Sequence, residues 1–317
     1  MFSFIKYLQG LKEKFQKNKG LWFTTITVIS VIGIFITLYI ITTMTSNVSE
    51  KVYQSMSKGY NLKVLSLMDA KEKEFEKIAL VIEGNTLLLS QIEENKETDI
   101  LNFAAAMNTS FAKKSINNYK IALYSLGGTQ EVLRSSVISV IKSKNSIYGV
   151  EVMSDGVFNT YLKPLIKDDN VYGVIEVKES IHSYKKAFDE LNDEYVFLLD
   201  KKMLAQIAID VKNGKYRDMT EEYTLANTFY DTKFAASIRD LDKEKFTEMM
   251  QKKYIIDGVY YRTYKMVNDI NGAEIGMVVL GEYVDKEDGF VNLADNMTKT
   301  VTTVALGLVI SIMLFMF

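Results

Sequence analysis

Two long apolar stretches lie near the ends of the chain, and the residues between them are mixed in polarity. The first, 21–44, reads LWFTTITVISVIGIFITLYIITTM and contains no charged residue. A helix needs about 20 such residues to cross a bilayer, so this stretch predicts a transmembrane helix. The second, 300–317, is also uncharged. Its end would place a terminal carboxylate at the membrane boundary, so we expect the chain to be the front part of a longer protein.

Charges beside the first apolar stretch predict its orientation. Residues 1–20 contain five Lys and one Glu, and short basic flanks stay in the cytoplasm. Region 45–299 is therefore expected outside the cytoplasm. The two spans that flank it are expected to cross the inner membrane and to contact its lipid.

After the first span, the polar–apolar pattern has the period of a helix. Apolar residues recur at steps of three and four from Val48 through Tyr60 to Ile82, which is typical of an amphipathic helix. We expect one helix from residue 45 to about residue 94, the stalk of region 45–96. Its apolar stripe would either form a seam in a homodimer or pack along the chain's own domain.

Two later segments alternate in polarity and contain turn residues at matching places. The first segment has turn residues at Asp155-Gly156 and at 168–170. The second segment has them at Asp257-Gly258 and Asn271-Gly272. Such pairs predict antiparallel hairpins. The two segments are offset by 102 residues at the first turn and by 103 after the second, so we infer a duplicated meander.

These patterns predict an α+β fold with two antiparallel-sheet modules, flanked by two transmembrane helices. We place the membrane-distal module at 97–194 and the membrane-proximal module at 195–284. Helices are expected upstream of the hairpins, over 97–114 and around 243–253. A juxtamembrane helix at 285–299 would connect the second module to the last span.

Composition excludes several classes of protein. The chain has no Cys and one His, so it holds no disulfide or thiolate metal site, and His-based catalysis would depend on His182 alone. A net charge of −2 without a basic stripe excludes a typical nucleic-acid binder. Neither a Walker loop nor a nucleophile elbow occurs. We therefore expect no enzyme and no cofactor, and we expect His182 to be exposed or to cap a helix.

One acidic turn matches part of a calcium-binding loop. Asp168, Asn170, Gly173 and Glu179 fit positions of that pattern, but Tyr172 occupies a ligand position. The loop would also have to include an apolar strand, whereas calcium loops need oxygen ligands in a turn. We therefore expect no metal here.

Strand alternation nominates a ligand-binding face in the first module. The candidate residues are Tyr124, Arg134, Glu151, Asn159, Tyr161 and Lys163. The last three point to one side of a strand, and Glu151 is expected across from them. Arg134 offers a planar guanidinium that suits a carboxylate ligand. The alternative interpretation is an exposed Glu–Lys pair across two strands.

A rival pocket is possible in the second module, where aromatic side chains surround an Arg. Its residues are Tyr260, Tyr261, Arg262 and Tyr264. An alternating aromatic strand that packs against helices explains this cluster equally well.

The chain resembles the double Cache extracytoplasmic sensor domains of bacterial methyl-accepting chemotaxis proteins, sensor kinases and cyclases, whose modules are PAS-like. The resemblance rests on the basic N-terminus, the first span, the long helix and two segments, DGVFNTYLKPLIKDDNVYGVIEVKESI and DGVYYRTYKMVNDINGAEIGMVVLGEYV. It implies a ligand pocket in the distal module, a homodimer, and a small displacement of the last helix. The aromatic–Arg–Trp pattern of amino-acid-binding Cache domains is missing, because the only Trp is Trp22 in the first span.

The expected function is that of a membrane-anchored sensor that binds a small molecule, with a carboxylate as one candidate, and signals across the membrane as the input part of a chemoreceptor. Inputs of a sensor histidine kinase or diguanylate cyclase are alternatives. A membrane-anchored enzyme and a structural stalk are alternatives from other classes. The signalling hairpin that the family has after the second span is absent from this chain.

Overall fold

The computed structural model describes residues 19–113, 119–126, 133–212, 215–226, 230–286 and 289–316. The basic residues before Lys19, and with them the expected cytoplasmic N-terminus, lie outside the described residues. The described residues divide into two compact units, one holding those up to Ser55 together with those from Asp285, and the other holding Met56–Val284.

The helices and strands alternate along the chain. The helices are α1 Lys19–Glu83, α2 Thr86–Glu93, α3 Glu97–Lys113, α4 Ser135–Ser143, α5 Ser183–Asp189, α6 Ile209–Lys212, α7 Thr232–Arg239, α8 Lys243–Lys252 and α9 Phe290–Met316, with a 3-10 helix over Lys201–Gln206. The strands are β1 Lys120–Ser125, β2 Ile147–Met153, β3 Gly156–Lys167, β4 Asn170–Ser180, β5 Glu194–Asp200, β6 Arg217–Asp218, β7 Tyr223–Leu225, β8 Tyr254–Ile256, β9 Tyr260–Asn268 and β10 Glu274–Tyr283.

The first unit consists of the start of α1 together with α9. Within the described residues, one helix is long and apolar enough to cross a membrane, and the qualifying stretch lies in Val31–Glu83. Polar contacts between α1 and α9 include a hydrogen bond from the Tyr53 hydroxyl to Asp295 Oδ1 at 3.0 Å. The hydroxyls of Ser49 and Thr298 also lie 3.3 Å apart.

The long helix expected to reach about residue 94 is interrupted. It ends at Glu83, and after Gly84 the side chain of Asn85 accepts a hydrogen bond from Leu88 N at 3.1 Å and begins α2. Asparagine is a favoured N-cap because its side chain satisfies a free amide of the first turn. The sequence pattern missed this break, because the apolar spacing continues across it.

The second unit contains two antiparallel sheets of the same topology. The first has the strand order β1-β4-β3-β2, and the second has β6-β7-β5-β10-β9-β8. Removing β6 and β7 from the second leaves β5-β10-β9-β8, which matches the first strand for strand. The duplicated meander is therefore confirmed, and so is the α+β fold with a long N-terminal helix.

The turns between the last two strands of each meander contain residues in left-handed backbone conformations. Asp168 and Asp169 both have positive φ, at 49° and 63°, which is the conformation that a two-residue hairpin of type I′ requires. In the second sheet Gly272 has φ of 90° at the equivalent bend. The predicted turn residues thus lie where the chain reverses direction.

Each sheet has a face that packs against α1. In the first sheet, Phe75 and Ile82 of α1 share a buried cluster with Tyr161, Ile175 and Val177. This burial of apolar surface is the main stabilising contribution.

In the second sheet, the contact with α1 includes polar groups. The Tyr60 hydroxyl of α1 donates to Asp193 Oδ1 at 3.1 Å and to Glu282 Oε2 at 3.3 Å. Lys63 lies 2.7 Å from the other oxygen of Asp193. Burial, with the two carboxylates nearby, raises the pKa of Tyr60 well above its ordinary value, so the phenol stays protonated and acts as the donor.

Candidate functional site

The register of the first sheet divides the six candidate residues between its two faces. Residues paired across antiparallel strands point to the same face, and faces alternate along a strand. Glu151 pairs with Phe158, so it lies on the face opposite to that of Asn159, Tyr161 and Lys163. The expectation that Glu151 stands across from those three residues is wrong. We call the face of Glu151 the outer face, because the other face packs against α1.

On the outer face, three of the predicted residues come together. Arg134 Nη1 lies 3.1 Å from Glu151 Oε2, and Arg134 Nη2 donates to the Tyr124 hydroxyl at 3.2 Å. Arg134 precedes α4, Glu151 is on β2 and Tyr124 is on β1, so three separate elements contribute to the cluster.

A fourth residue, Glu176 on β4, completes this cluster and was missed in the sequence. Its Oε1 lies 2.8 Å from Arg134 Nη2, and its Oε2 accepts a hydrogen bond from the Tyr124 hydroxyl at 2.6 Å. The signal was present, since Glu176 is the only charged residue between Val171 and Val177. We name Tyr124, Arg134, Glu151 and Glu176 the polar cluster.

The polar cluster holds one positive charge against two negative charges in a largely buried place. The side chain of Glu176 is 2% exposed and that of Arg134 is 29% exposed. Burial raises the pKa of Glu151, although Arg134 and a hydrogen bond from Ser136 at 2.7 Å oppose this effect. Burial and the neighbouring Glu176 also raise the pKa of Tyr124. Among these four residues the carboxylates outnumber the guanidinium by one, and Lys178, which lies beside them against Met153, is a second neighbouring positive charge.

The other three predicted residues have structural partners on the α1 side. Tyr161 belongs to the buried cluster with Phe75, and Lys163 lies 3.4 Å from Glu83 of α1. Asn159 is fully buried and accepts a hydrogen bond from the Tyr184 hydroxyl at 3.1 Å. The structure does not bring these residues together with the polar cluster.

A cleft of about 670 Å³ opens beside β1, and Tyr124 forms part of both the cleft wall and the polar cluster. Its walls are mostly apolar and come from α3, β1 and the region of α4. The lining includes Ile100, Leu101, Ala104, Asn108, Leu133 and Ile141. Small-molecule sites commonly have volumes of about 300–1,000 Å³, apolar walls and a few polar groups, so this cleft has the size and character of a ligand site.

The equivalent outer face of the second sheet is filled with side chains. Tyr260 and Tyr264 pack there with Phe234 of α7 and Met249 of α8 in one buried cluster. Arg262 is fully buried and lies 2.7 Å from Asp257. Tyr260 and Tyr264 therefore belong to a packed core, as the alternative interpretation predicted for aromatic residues of this strand, and the buried Arg262 pairs with an aspartate at the edge of that core.

His182 precedes α5 but its side chain makes no capping hydrogen bond. It is partly buried, and burial, with Lys215 nearby, lowers its pKa to about 4. The imidazole is therefore neutral at neutral pH. The expectation that the His182 side chain is exposed or caps a helix is therefore wrong.

The chain was compared with families, curated proteins and solved structures. No protein-family profile matches the chain, and no curated protein matches it. The extracellular domain of the putative histidine kinase vpHK1S-Z8 has a TM-score of 0.43 and 9% identity, over 76% of this chain and 94% of its own. The ligand-binding domain of the Campylobacter jejuni chemoreceptor Tlp3, in complex with L-valine, has a TM-score of 0.36 and 13% identity, over 81% and 98%. The sensor domain of the V. cholerae histidine kinase DctB has a TM-score of 0.38 and 9% identity, over 73% and 98%.

Proposed function

We propose that this protein is a membrane-anchored, extracytoplasmic sensor of the double Cache type. A small molecule binds the outer face of the first sheet and shifts the equilibrium between two conformations. The chain passes the membrane twice and acts as a homodimer, and displacement of α9 carries the signal. We favour a chemoreceptor as the protein that this sensor belongs to. A sensor histidine kinase and a diguanylate cyclase are alternatives, and ligand binding would be the same in all three.

The observation that supports this proposal is the contrast between two copies of one topology. The second copy fills its outer face with Tyr260, Tyr264 and Phe234. The first copy has a small apolar cluster around Val140 and Leu162 on that face, and places the polar cluster and the cleft beside it. Partial burial of polar groups reduces the stability of the folded protein. Their position beside a cleft is therefore better explained by ligand binding than by folding.

The geometry changes the expected class of ligand. Arg134 was expected to bind a carboxylate, but its two terminal nitrogens already contact Glu151 and Glu176. A ligand carboxylate would add a third negative charge beside one guanidinium. A ligand ammonium group would compensate the negative charge of the two carboxylates through charge-assisted hydrogen bonds. We therefore propose a small amine, such as an amino compound with an apolar portion for the cleft wall.

The test is a thermal-shift screen of the full chain in detergent against small amines, amino acids and carboxylates. We expect amine-bearing compounds to raise the melting temperature, and Glu176→Gln to abolish the shift while keeping the side-chain shape. The control is Arg239→Ala, because Arg239 is exposed and pairs with the adjacent Asp240. Hits that persist in both Glu151→Gln and Glu176→Gln, or a screen without hits, would contradict the proposal.

Binding without turnover is part of the same proposal. The competing class, a membrane-anchored enzyme, needs a nucleophile with a base, and the chain's single imidazole is His182. Hydrolysis of a screened compound that is lost on His182→Ala would favour the enzyme.

A further inference from the structure

Among the described residues, no strand pairs with the free edge of β1, whereas the equivalent edge in the second sheet has one. Ser125 pairs with Gly173 of β4, and Leu199 pairs with Gly276 of β10. The two glycines are the equivalent residues of the duplicated meander, so Ser125 corresponds to Leu199. On its other side Leu199 pairs with Thr224 of β7.

The backbone groups of β5 that pair with β7 in the second sheet have counterparts on β1 in the first sheet. Ala226 N donates to Phe197 O at 3.0 Å, and Phe197 lies two residues before Leu199. The counterparts of Phe197 and Leu199 are Leu123 and Ser125. In an antiparallel ladder every second residue turns both its N–H and its C=O to the same side, so these two residues present the equivalent groups.

The hydrogen bonds of Asn108, on α3, show toward which side of β1 those backbone groups point. Its Nδ2 donates to Ile121 O at 3.0 Å, and its Oδ1 accepts from Ile121 N at 2.7 Å. The side-chain amide thus makes both hydrogen bonds that a neighbouring strand would make at Ile121. Because Leu123 and Ser125 have the same parity as Ile121, their N–H and C=O groups also point away from β4.

The cleft lies where those groups point. Leu123, Ser125 and Asn108 line it together with the apolar residues Leu101 and Ala105 of α3. In the part of the chain that the structure describes, no backbone partner occurs for the outward groups of Leu123 and Ser125. An exposed strand edge of this kind is a template for an added strand.

We propose that the cleft binds an extended peptide backbone, which pairs with Leu123 and Ser125 in the place that β7 occupies in the second sheet. This is recognition by strand addition, in which main-chain hydrogen bonds provide affinity and side-chain pockets provide specificity. It rests on the proposed function in that a ligand binds this cleft, and it names the ligand's class as a peptide or a peptide-like amine. Asn108 marks the end of the available edge.

The probe is the synthetic peptide TEEYTLA, the sequence of residues 220–226, which includes β7. It is labelled and titrated into the full chain in detergent. We expect saturable binding, weakened about tenfold or more by N-methylation at the residue equivalent to Thr224, because that amide faces the paired strand. N-methylation at the residue equivalent to Leu225, whose amide faces away, should change the affinity less than about threefold.

A pair of variants tests the protein side. Ser125→Pro removes the outward N–H but leaves the ladder with β4, and edge positions tolerate proline. We expect it to weaken peptide binding, whereas Ser125→Ala, which removes only the hydroxyl, should not. Amide hydrogen exchange at Leu123 and Ser125 should be fast in the free chain and slow with the peptide. This measurement does not depend on any variant folding.

Several outcomes would overturn the inference. Slow exchange at Leu123 and Ser125 in the free chain would mean that these groups are already paired within the chain. Equal effects of the two N-methylated peptides, or no binding at all, would exclude strand addition. If small amines still bind in a Glu176-dependent manner, the proposed sensor function stands while the peptide inference fails.

Discussion

The hydroxyl of Tyr124 lies 2.6 Å from Glu176 Oε2 and acts as its hydrogen-bond donor, joining β1 to β4 on the outer face of the first sheet. This short contact links an almost fully buried carboxylate to a residue of the cleft wall. A molecule that binds the cleft and moves Tyr124 would therefore change the environment of a buried charge.

We expect Tyr124→Phe and Glu176→Gln to be coupled. Each substitution should destabilise the fold by about 1–3 kcal/mol, because each weakens a hydrogen bond of a charged, buried group. The double variant should lose less stability than the sum of the losses in the two single variants, with a coupling energy of about 1 kcal/mol or more. Urea unfolding of the four proteins measures this cycle. Strict additivity would mean that the contact does not contribute to stability.

Arg262 and Arg239 provide a matched pair for the second sheet. Arg262 is fully buried and bound to the partly exposed Asp257, so Arg262→Ala should cost about 2–5 kcal/mol, because it removes a large side chain from a packed interior. Arg239 is exposed, and Arg239→Ala should change the stability by less than about 0.5 kcal/mol. Shifts of the urea midpoint check both values. Similar losses for the two variants would argue against the core role of Arg262.

Glu194 should make stability depend on pH near neutrality. Burial, with Asp231 adding to it, raises the pKa of Glu194 to about 7. Because the folded pKa exceeds the unfolded one, this contribution is complete in acid and is lost as the pH rises through about 7. Glu194→Gln should therefore stabilise the protein at about pH 8, by about 1 kcal/mol at most, since solvent screens this partly exposed group.

The measurement is the melting temperature of both proteins between about pH 5 and about pH 8. The decline with rising pH should be smaller in Glu194→Gln than in the native protein. Glu274→Gln is the control, because Glu274 is an exposed residue of β10. Parallel curves for native protein and Glu194→Gln would refute the assignment.

Tyr60 and Lys63 contact the same carboxylate from α1, but they differ in burial. Tyr60 is almost fully buried, whereas the side chain of Lys63 is 38% exposed. Tyr60→Phe removes a donor from two buried carboxylates and should cost about 1–3 kcal/mol. Lys63→Met should cost about 1 kcal/mol or less, because Lys63 reaches Asp193 from a partly exposed position where water can take the place of its ammonium group. Thermal unfolding of the two variants compares them, and a larger loss for Lys63→Met would be unexpected.

Much of the fold was predictable because turn chemistry and alternation are local signals. Asp155-Gly156 and Asn271-Gly272 marked the reversals, and the repeated offset revealed the duplication. The short strand β7 was not predicted, since three residues, Tyr223–Leu225, are too few to show a period. The break at Asn85 was also hidden within a continuing apolar pattern.

The candidate site was predicted only in part, because its composition depends on sheet register. Tyr124, Arg134 and Glu151 were identified and do come together. Lys163 was assigned to the wrong face relative to Glu151. The pairing of Met153 with Gly156 at the turn determines which residues of the two strands share a face, and it places Glu151 and Lys163 on opposite faces. Glu176 was overlooked because the part of its strand from Val171 to Val177 contains no other charged residue to indicate a polar site.

The asymmetry between the two outer faces also determines how this protein can evolve. Substitutions around Phe234 and Tyr264 would open voids in a packed interior, so selection should keep those positions nearly constant. Changes along the cleft wall, at Leu101 or Ile141 for example, would alter what is recognised while leaving the scaffold intact. Of the two sheets that share this topology, one would thus preserve the architecture while the other could acquire new specificity.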